Sequence, residues 1–232
     1  MMRYGFIGMV LVMMCLLSLY VLSEKVIYHA RNDFGDVYVV GNNFYRCIKT
    51  DLATDVVQSC YDVWNKKNST AYVDVLARSI TMTPQLPRHI LVLGLGGGSI
   101  VQLLRMRLPD AHIDAVDINP LMVDIAQKYF DLPTNNIDVY VEDGYRFIMQ
   151  GPLHKYDVVI IDVYANNLIP EDFLRDVFVK HLMRAMTPLG IVAINIHKYH
   201  TEQHVEEVYK RYLSYVTDVV LGTNTVVFFQ NA

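Results

Sequence analysis

The apolar and polar positions divide the chain into three stretches. From Tyr4 to Ser23 there are 20 consecutive residues without a charge, bounded by Arg3 and Glu24. As a helix this run would extend ~30 Å at ~1.5 Å per residue, the thickness of a hydrocarbon core. It has no polar face to present to water, so a membrane segment is expected over a buried soluble helix. Lys25, Arg31, Arg46 and Lys49 follow the run while Arg3 alone precedes it, which favours an anchor with a cytoplasmic domain. The alternative is a signal peptide with Val21 and Ser23 before the cut and the domain exported.

The second stretch, residues 24–83, reads as a small β-rich domain. Asp36–Val40 and Phe44–Lys49 are β-branched or aromatic runs separated by Gly41-Asn42-Asn43, a hairpin signal, with further pairing near Val56–Ser59. Residues 70–82 then place Val73, Leu76, Ala77 and Ile80 on one helical face. Thr83-Pro84-Gln85-Leu86-Pro87 breaks the pattern and marks the internal boundary.

Beyond it strands and helices alternate. Apolar runs at 89–93, 113–116, 137–141, 157–161 and 191–196 read as strands. They are separated by helical patterns near 99–107, 119–130, 143–149, 172–186 and, after the last, 201–213. Two further strands, 216–221 and 226–229, are close enough to pair antiparallel. The expectation is an α/β fold over residues 84–232. Its core is a doubly wound, mainly parallel seven-stranded sheet with ligands at the C-terminal ends of its strands.

Composition narrows the function. A net charge of −4 with no long basic run disfavours nucleic acid, which needs clustered cations. Three cysteines make neither a disulfide framework nor a four-thiolate zinc site, and the histidines have no metal-ligand spacing, so no metal is expected. Cys47 and Cys60 are expected as small, buried or half-buried thiols, which could pair if the domain is exported.

The chemical signal lies at the strand ends. Gly94-Leu95-Gly96-Gly97-Gly98-Ser99 follows the first strand and opens a helix, a turn whose bare backbone lets a ligand approach the positive end of the helix dipole. Asp117 ends the second strand 23 residues after Gly94, a spacing suited to an acid that binds ribose hydroxyls. Asp143-Gly144 follows the third strand and Asp162 the fourth. No Walker lysine is present, which argues against nucleoside triphosphate hydrolysis.

In this order, these motifs resemble the spermidine synthase-like polyamine aminopropyltransferases, built on the S-adenosylmethionine-type Rossmann (methyltransferase) fold. Phe34–Val39, Val57-Gln58-Ser59, Tyr72–Ala77, Pro170–Phe173 and Pro188-Leu189-Gly190 add to the resemblance. It implies a transferase of polyamine biosynthesis that uses decarboxylated S-adenosylmethionine, or S-adenosylmethionine itself, as co-substrate. Gly94, Gly96, Gly97 and Gly98 would hold the methionine-derived tail. Asp117 would bind ribose, Asp143 with Gly144 the adenine, and Gln58 and Tyr72 would close the pocket from the N-terminal domain. Asp162 would be the general base and Tyr164 a substrate contact. The acceptor would be a small-molecule amine, and family members commonly form homodimers.

Two positions depart from the family pattern. Ser99-Ile100 stands where the family's loop has Asp-Gly, and Ala165 replaces the second acid of its Asp-Ser-x-Asp-Pro segment, here Asp162-Val163-Tyr164-Ala165-Asn166. At Ala165 the missing acid would help hold a cationic polyamine, and loss of a charge-assisted hydrogen bond to an ammonium costs about 1.5–3 kcal/mol, or one to two powers of ten in binding. The departures open two alternatives: a methyltransferase of another substrate, or a membrane-anchored binding protein without catalysis.

Overall fold

The structure is a computed structural model that describes residues 23–68, 71–165, 168–197 and 202–231. The membrane segment expected at residues 4–23 lies, except for Ser23, outside the described residues. Among the described residues no helix is long and apolar enough to cross a membrane.

A five-stranded antiparallel sheet comes first, in the order β1-β2-β3-β4-β5: β1 Lys25–Asn32, β2 Gly35–Gly41, β3 Tyr45–Lys49, β4 Ser59–Asp62 and β5 Lys67–Asn68. The expected hairpin is β2–β3, with Val40 opposite Cys47. Gly41 makes its turn possible: its φ is +158°, ordinary extended backbone, but a Cβ there would lie 2.1 Å from the Tyr45 carbonyl oxygen. The inner face of the sheet, Val37, Val39, Ile48 and Tyr61, packs on Ile125 and Phe130 of the larger domain.

The cysteines differ from expectation. Cys47 and Cys60 are directly opposed on β3 and β4 and form a disulfide, with Cα atoms 4.1 Å apart. The strand register brings them together, and nothing local in the sequence announces it.

The expected helix at 70–82 is a short α1, Ala71–Leu76, continued as a 3₁₀ turn over Ala77–Thr81. Its apolar residues Val73, Leu76 and Ile80 join one face of the large sheet. That sheet has seven strands in the order β11-β12-β10-β9-β6-β7-β8. They are β6 His89–Leu93, β7 His112–Asp117, β8 Ile137–Val141, β9 Tyr156–Ile161, β10 Met186–His197, β11 Ser214–Leu221 and β12 Asn224–Gln230. β6 to β10 run parallel; β12 is antiparallel to both β10 and β11, so the expected C-terminal pair closes one edge.

The continuous apolar runs follow from burial on both faces. Ile90 and Val92 face α1 and α2 (Ser99–Arg107). Leu91 and Leu93 face the other side, with Phe178 and Leu182 of α5 (Asp176–Ala185) and Val205 of α6 (Glu202–Tyr209). Burying each such side chain stabilises the fold by about 1.5–3 kcal/mol. Between these helices in sequence come α3 (Pro120–Tyr129) and α4 (Gly144–Gln150). Each starts on a side-chain cap that the sequence supplies: Asn119 Oδ1 accepts the Leu121 N–H, and Asp143 Oδ1 accepts the Tyr145 N–H. Strand ends and helix starts therefore converge on one edge of the sheet, β6 lying between β7 and β9 where the winding reverses.

Candidate active site

The glycine loop occupies this switch point. Gly94, Gly96 and Gly98 have φ of +92°, +51° and +75°, which L side chains rarely adopt. At Gly94 space is also decisive, since a Cβ would lie 2.1 Å from the Asp162 carbonyl oxygen. Gly96 is the opposite case, with nothing within 4 Å of its added Cβ, so the loop presents open backbone there. Gly94→Ala should therefore destabilise the protein by more than about 2 kcal/mol and weaken ligand binding, whereas Gly96 is constrained by φ alone. Thermal unfolding of the two alanine variants tests this ordering; equal losses would contradict it.

Asp117 faces the loop. Its Oδ2 accepts from Leu95 N (2.9 Å) and Gly96 N (3.3 Å), and its Oδ1 from Asn119 N (2.9 Å). Burial pushes this carboxyl above the usual carboxylate range, and the three backbone N–H groups oppose the shift. Asp117 thus fixes the loop's shape, a role the sequence did not suggest. A carboxylate offers about four lone-pair positions. Three are engaged, so a ribose diol would have to share or displace one of the loop bonds.

Asp143 is at the next strand end, half-buried, with one oxygen capping α4. A Cβ on Gly144 would sit 3.3–3.4 Å from Phe173 and Leu93, so close packing beneath the site accounts for that glycine. The small sheet covers the loop from the other side. Gln58 is half-buried just before β4, its N–H bonded to the Ile48 carbonyl. Its neighbour Ser59 bonds Ser99 through buried hydroxyls 2.7 Å apart. A Cβ on Gly97 would meet Ser59 Oγ at 2.7 Å. Ser99, which stands where the family's loop has an aspartate, has its hydroxyl committed to this joint between the small sheet and the start of α2. From β1–β2, Asn32 reaches over to donate to Asn119 Oδ1 at 2.7 Å.

Asp162 is a strongly perturbed carboxyl. Burial pushes its pKa up to about 6, opposed by hydrogen bonds from Asn195 and Tyr72. Asn195 Nδ2 donates to Asp162 Oδ1 at 2.8 Å, and Asn224 Nδ2 donates to Asn195 Oδ1 at 2.9 Å. The Tyr72 hydroxyl donates to the same carboxylate, and burial, reinforced by that charge, pushes the tyrosine's own pKa up. Tyr164 donates to the Asn195 carbonyl (2.6 Å) and sets its ring edge-on to His197 at 6.5 Å. Ala165 is exposed and exchanges a pair of backbone hydrogen bonds with Leu168.

Asn195 and Asn224 were missed in the sequence. A polar residue inside Ile194-Asn195-Ile196, a run otherwise fit for a buried strand, was the available signal, because a buried amide needs partners. Asn195→Ala removes one of the two bonds that favour the ionised Asp162. The acid limb of the pH–rate profile should then move up by about one pH unit. An unmoved limb would contradict the coupling.

One other cluster of ligand-type side chains lies among the described residues: His112, Asp114 and Asp138, with donor atoms within 4.8 Å of one another. Asp114 is fully buried and already bonded by the Lys155 ammonium and, at 2.6 Å, by the Tyr156 hydroxyl. Its charge is compensated without a metal.

Residues 69–227 match the Spermine/spermidine synthase domain. The chain belongs to the spermine/spermidine synthase family. A polyamine aminopropyltransferase of Vibrio vulnificus is 29% identical over 187 residues, covering 78% of this chain and 62% of that relative. The chain thus spans under two thirds of that relative's length. A probable spermidine synthase of Corynebacterium glutamicum superposes with a TM-score of 0.75 at 15% identity, covering 90% of this chain and 81% of that one. Human methyltransferase-like protein 13, in complex with SAH, superposes with a TM-score of 0.62 at 22% identity, over 70% of this chain and 83% of that one. These two likenesses establish the fold, and both kinds of neighbour share it with this family member.

Proposed function

We propose that the protein transfers an aminopropyl group from decarboxylated S-adenosylmethionine to the amine of a polyamine. The observation that carries this reading is Asp162, a carboxylate held at the end of β9 by Asn195 and Tyr72, beside the glycine loop. The attacking nitrogen's lone pair forms a bond to the propyl carbon next to sulfur. The carbon–sulfur bond breaks and its pair returns to sulfur, giving methylthioadenosine. The new ammonium's proton goes to Asp162, and a base with a pKa of about 6 is ionised at neutral pH and still accepts a proton. A sulfonium is already an activated leaving group, so alignment of the amine supplies much of the rate. In this reading the backbone at Gly94–Gly98 holds the methionine-derived tail, Asp117 the ribose, and Asp143 with Gly144 the adenine, while Gln58 closes the pocket. Tyr72 and Tyr164 flank the acceptor.

The second reading, methyl transfer from intact S-adenosylmethionine, is favoured by the absence of any acid in Gly94–Ser99 and by Ala165. Neither position offers a carboxylate to hold a free amine or to repel a co-substrate's carboxyl group. Titration calorimetry of the full chain with both co-substrates separates them. Tighter binding of the decarboxylated form supports aminopropyl transfer, tighter binding of the intact form supports methyl transfer, and silence with both supports a binding protein without catalysis.

We further propose that residues 4–23 hold the protein at a membrane. The cation count after the run favours a cytoplasmic domain. The Cys47–Cys60 disulfide favours the oxidising face instead. Alkylation after acid quenching and denaturation of whole cells decides the side: alkylated cysteines mean cytoplasm, a pair protected as a disulfide means export.

A further inference from the structure

The small sheet has two ends. The end at Asn32 and Ser59 meets the nucleotide-binding edge, through Asn32–Asn119 and Ser59–Ser99. At the other end three pieces of chain lie together. The backbone enters at Ser23-Glu24, the turn after Gly41 carries Phe44, and the turn after Asp62 carries Trp64. The strand register enforces this grouping, since Lys25 is opposite Gly41, Gly41 opposite Arg46, and Tyr45 opposite Asp62.

Both aromatic rings are turned outward. Trp64 is 73% exposed and Phe44 42%, and they stack with centroids 6.3 Å apart. Neither turn is loose. Asn42 Oδ1 accepts the Phe44 and Tyr45 N–H groups, Asp62 Oδ1 accepts those of Trp64 and Asn65, and the Val63 N–H bonds the Phe44 carbonyl. Val26 on the edge strand β1 is also exposed, at 51%. The entering chain is itself pinned here, Tyr45 donating to Glu24 at 2.9 Å and Lys49 pairing with it at 3.7 Å.

We propose that the Phe44–Trp64 pair docks on the headgroup region of a lipid bilayer, into which residues 4–23 insert. This rests on the membrane reading of that segment. The uncharged run ends at Ser23, and an extended residue spans at most ~3.6 Å. Lys25 is therefore held within about 7 Å of the run's last residue, and the aromatic turns share its end of the sheet. Tryptophan is favoured at that depth, where an apolar ring meets lipid and the indole N–H meets water. Docking there turns the substrate-binding edge away from the bilayer, leaving it open to small polar ligands.

Trp64 is the protein's one tryptophan, so its emission reports this contact without a mutation. The full chain is reconstituted into phosphatidylcholine–phosphatidylglycerol vesicles with and without brominated acyl chains, then floated on a density gradient. The proposal expects co-flotation, with emission at least two-fold lower in brominated vesicles. Co-flotation with unquenched, acrylamide-accessible emission overturns the docking and leaves the anchor standing. Failure to float overturns the anchor reading and the docking with it. Emission shielded from acrylamide but insensitive to bromine, with a doubled cross-linked mass, overturns the proposal in favour of a second copy covering the patch.

Discussion

Replacing Asp162 by asparagine is expected to lower kcat by about 10²–10⁴-fold while co-substrate affinity stays within a few-fold of the native value. Asparagine preserves the shape and retains an oxygen for Asn195 or Tyr72, but it takes no proton from the attacking amine. In the native protein the rate should rise through pH 6 as Asp162 ionises, and the variant should lose that limb. The stability effect has the opposite sign to the usual salt-bridged aspartate. A folded pKa of about 6 against an ordinary 3.8 means that the folded chain keeps a proton which the unfolded chain releases. The stability contributed by this group therefore falls as pH rises from about 3.8 to about 6, by at most about 3 kcal/mol, and stays low above that window. At pH 8 the variant should thus melt no lower than the native protein while turning over far more slowly. Thermal unfolding and single-turnover assays at matched pH test the pair of effects. A variant that melts lower and keeps its rate would remove Asp162 from the chemistry.

Asp117→Ala should produce the complementary result: loss of co-substrate binding by 100-fold or more, with destabilisation. Leu95, Gly96 and Asn119 would each lose the acceptor of a backbone N–H, and an unsatisfied buried donor costs about 1–3 kcal/mol. The loop would also lose the contact that holds its backbone open toward a ligand. Calorimetry on folded variant protein is the measurement. Unchanged affinity would show that neither the ribose role nor the loop role operates. Equal loss of binding in the Asp117 and Asp162 variants would show that Asp162 is mainly a binding residue.

The parts of this site that the sequence disclosed are those written locally. Strands buried on both faces show as continuous apolar runs, and a glycine-rich turn between strand and helix has few other uses. Acids just past strand ends stand out against the apolar runs before them. Together these gave the order β6-loop-α2, β7-Asp117, β8-Asp143 and β9-Asp162. The remainder depends on register across the fold. Asp162 owes its environment to Asn195 and Asn224 on β10 and β12, and no spacing rule connects those positions. Ser99 directly follows the glycines, where the family's loop has an aspartate, yet Ser59, 40 residues earlier in the chain, takes its hydroxyl. The β1 strand escaped notice because Val26 and Ile27 are exposed and the pairing with β2 shifts between Val26 and Tyr28, so no clean alternation marks it. The Cys47–Cys60 pair likewise needed the β3–β4 register before it could be seen.

The most direct test is to incubate the full chain with decarboxylated S-adenosylmethionine and putrescine and to identify the products by mass spectrometry. Spermidine and methylthioadenosine should form in equal amounts, at a rate that the Asp162→Asn variant lowers by at least 100-fold. Absence of spermidine where the co-substrate is bound, or a methylated product when intact S-adenosylmethionine is supplied instead, would contradict aminopropyl transfer at this site.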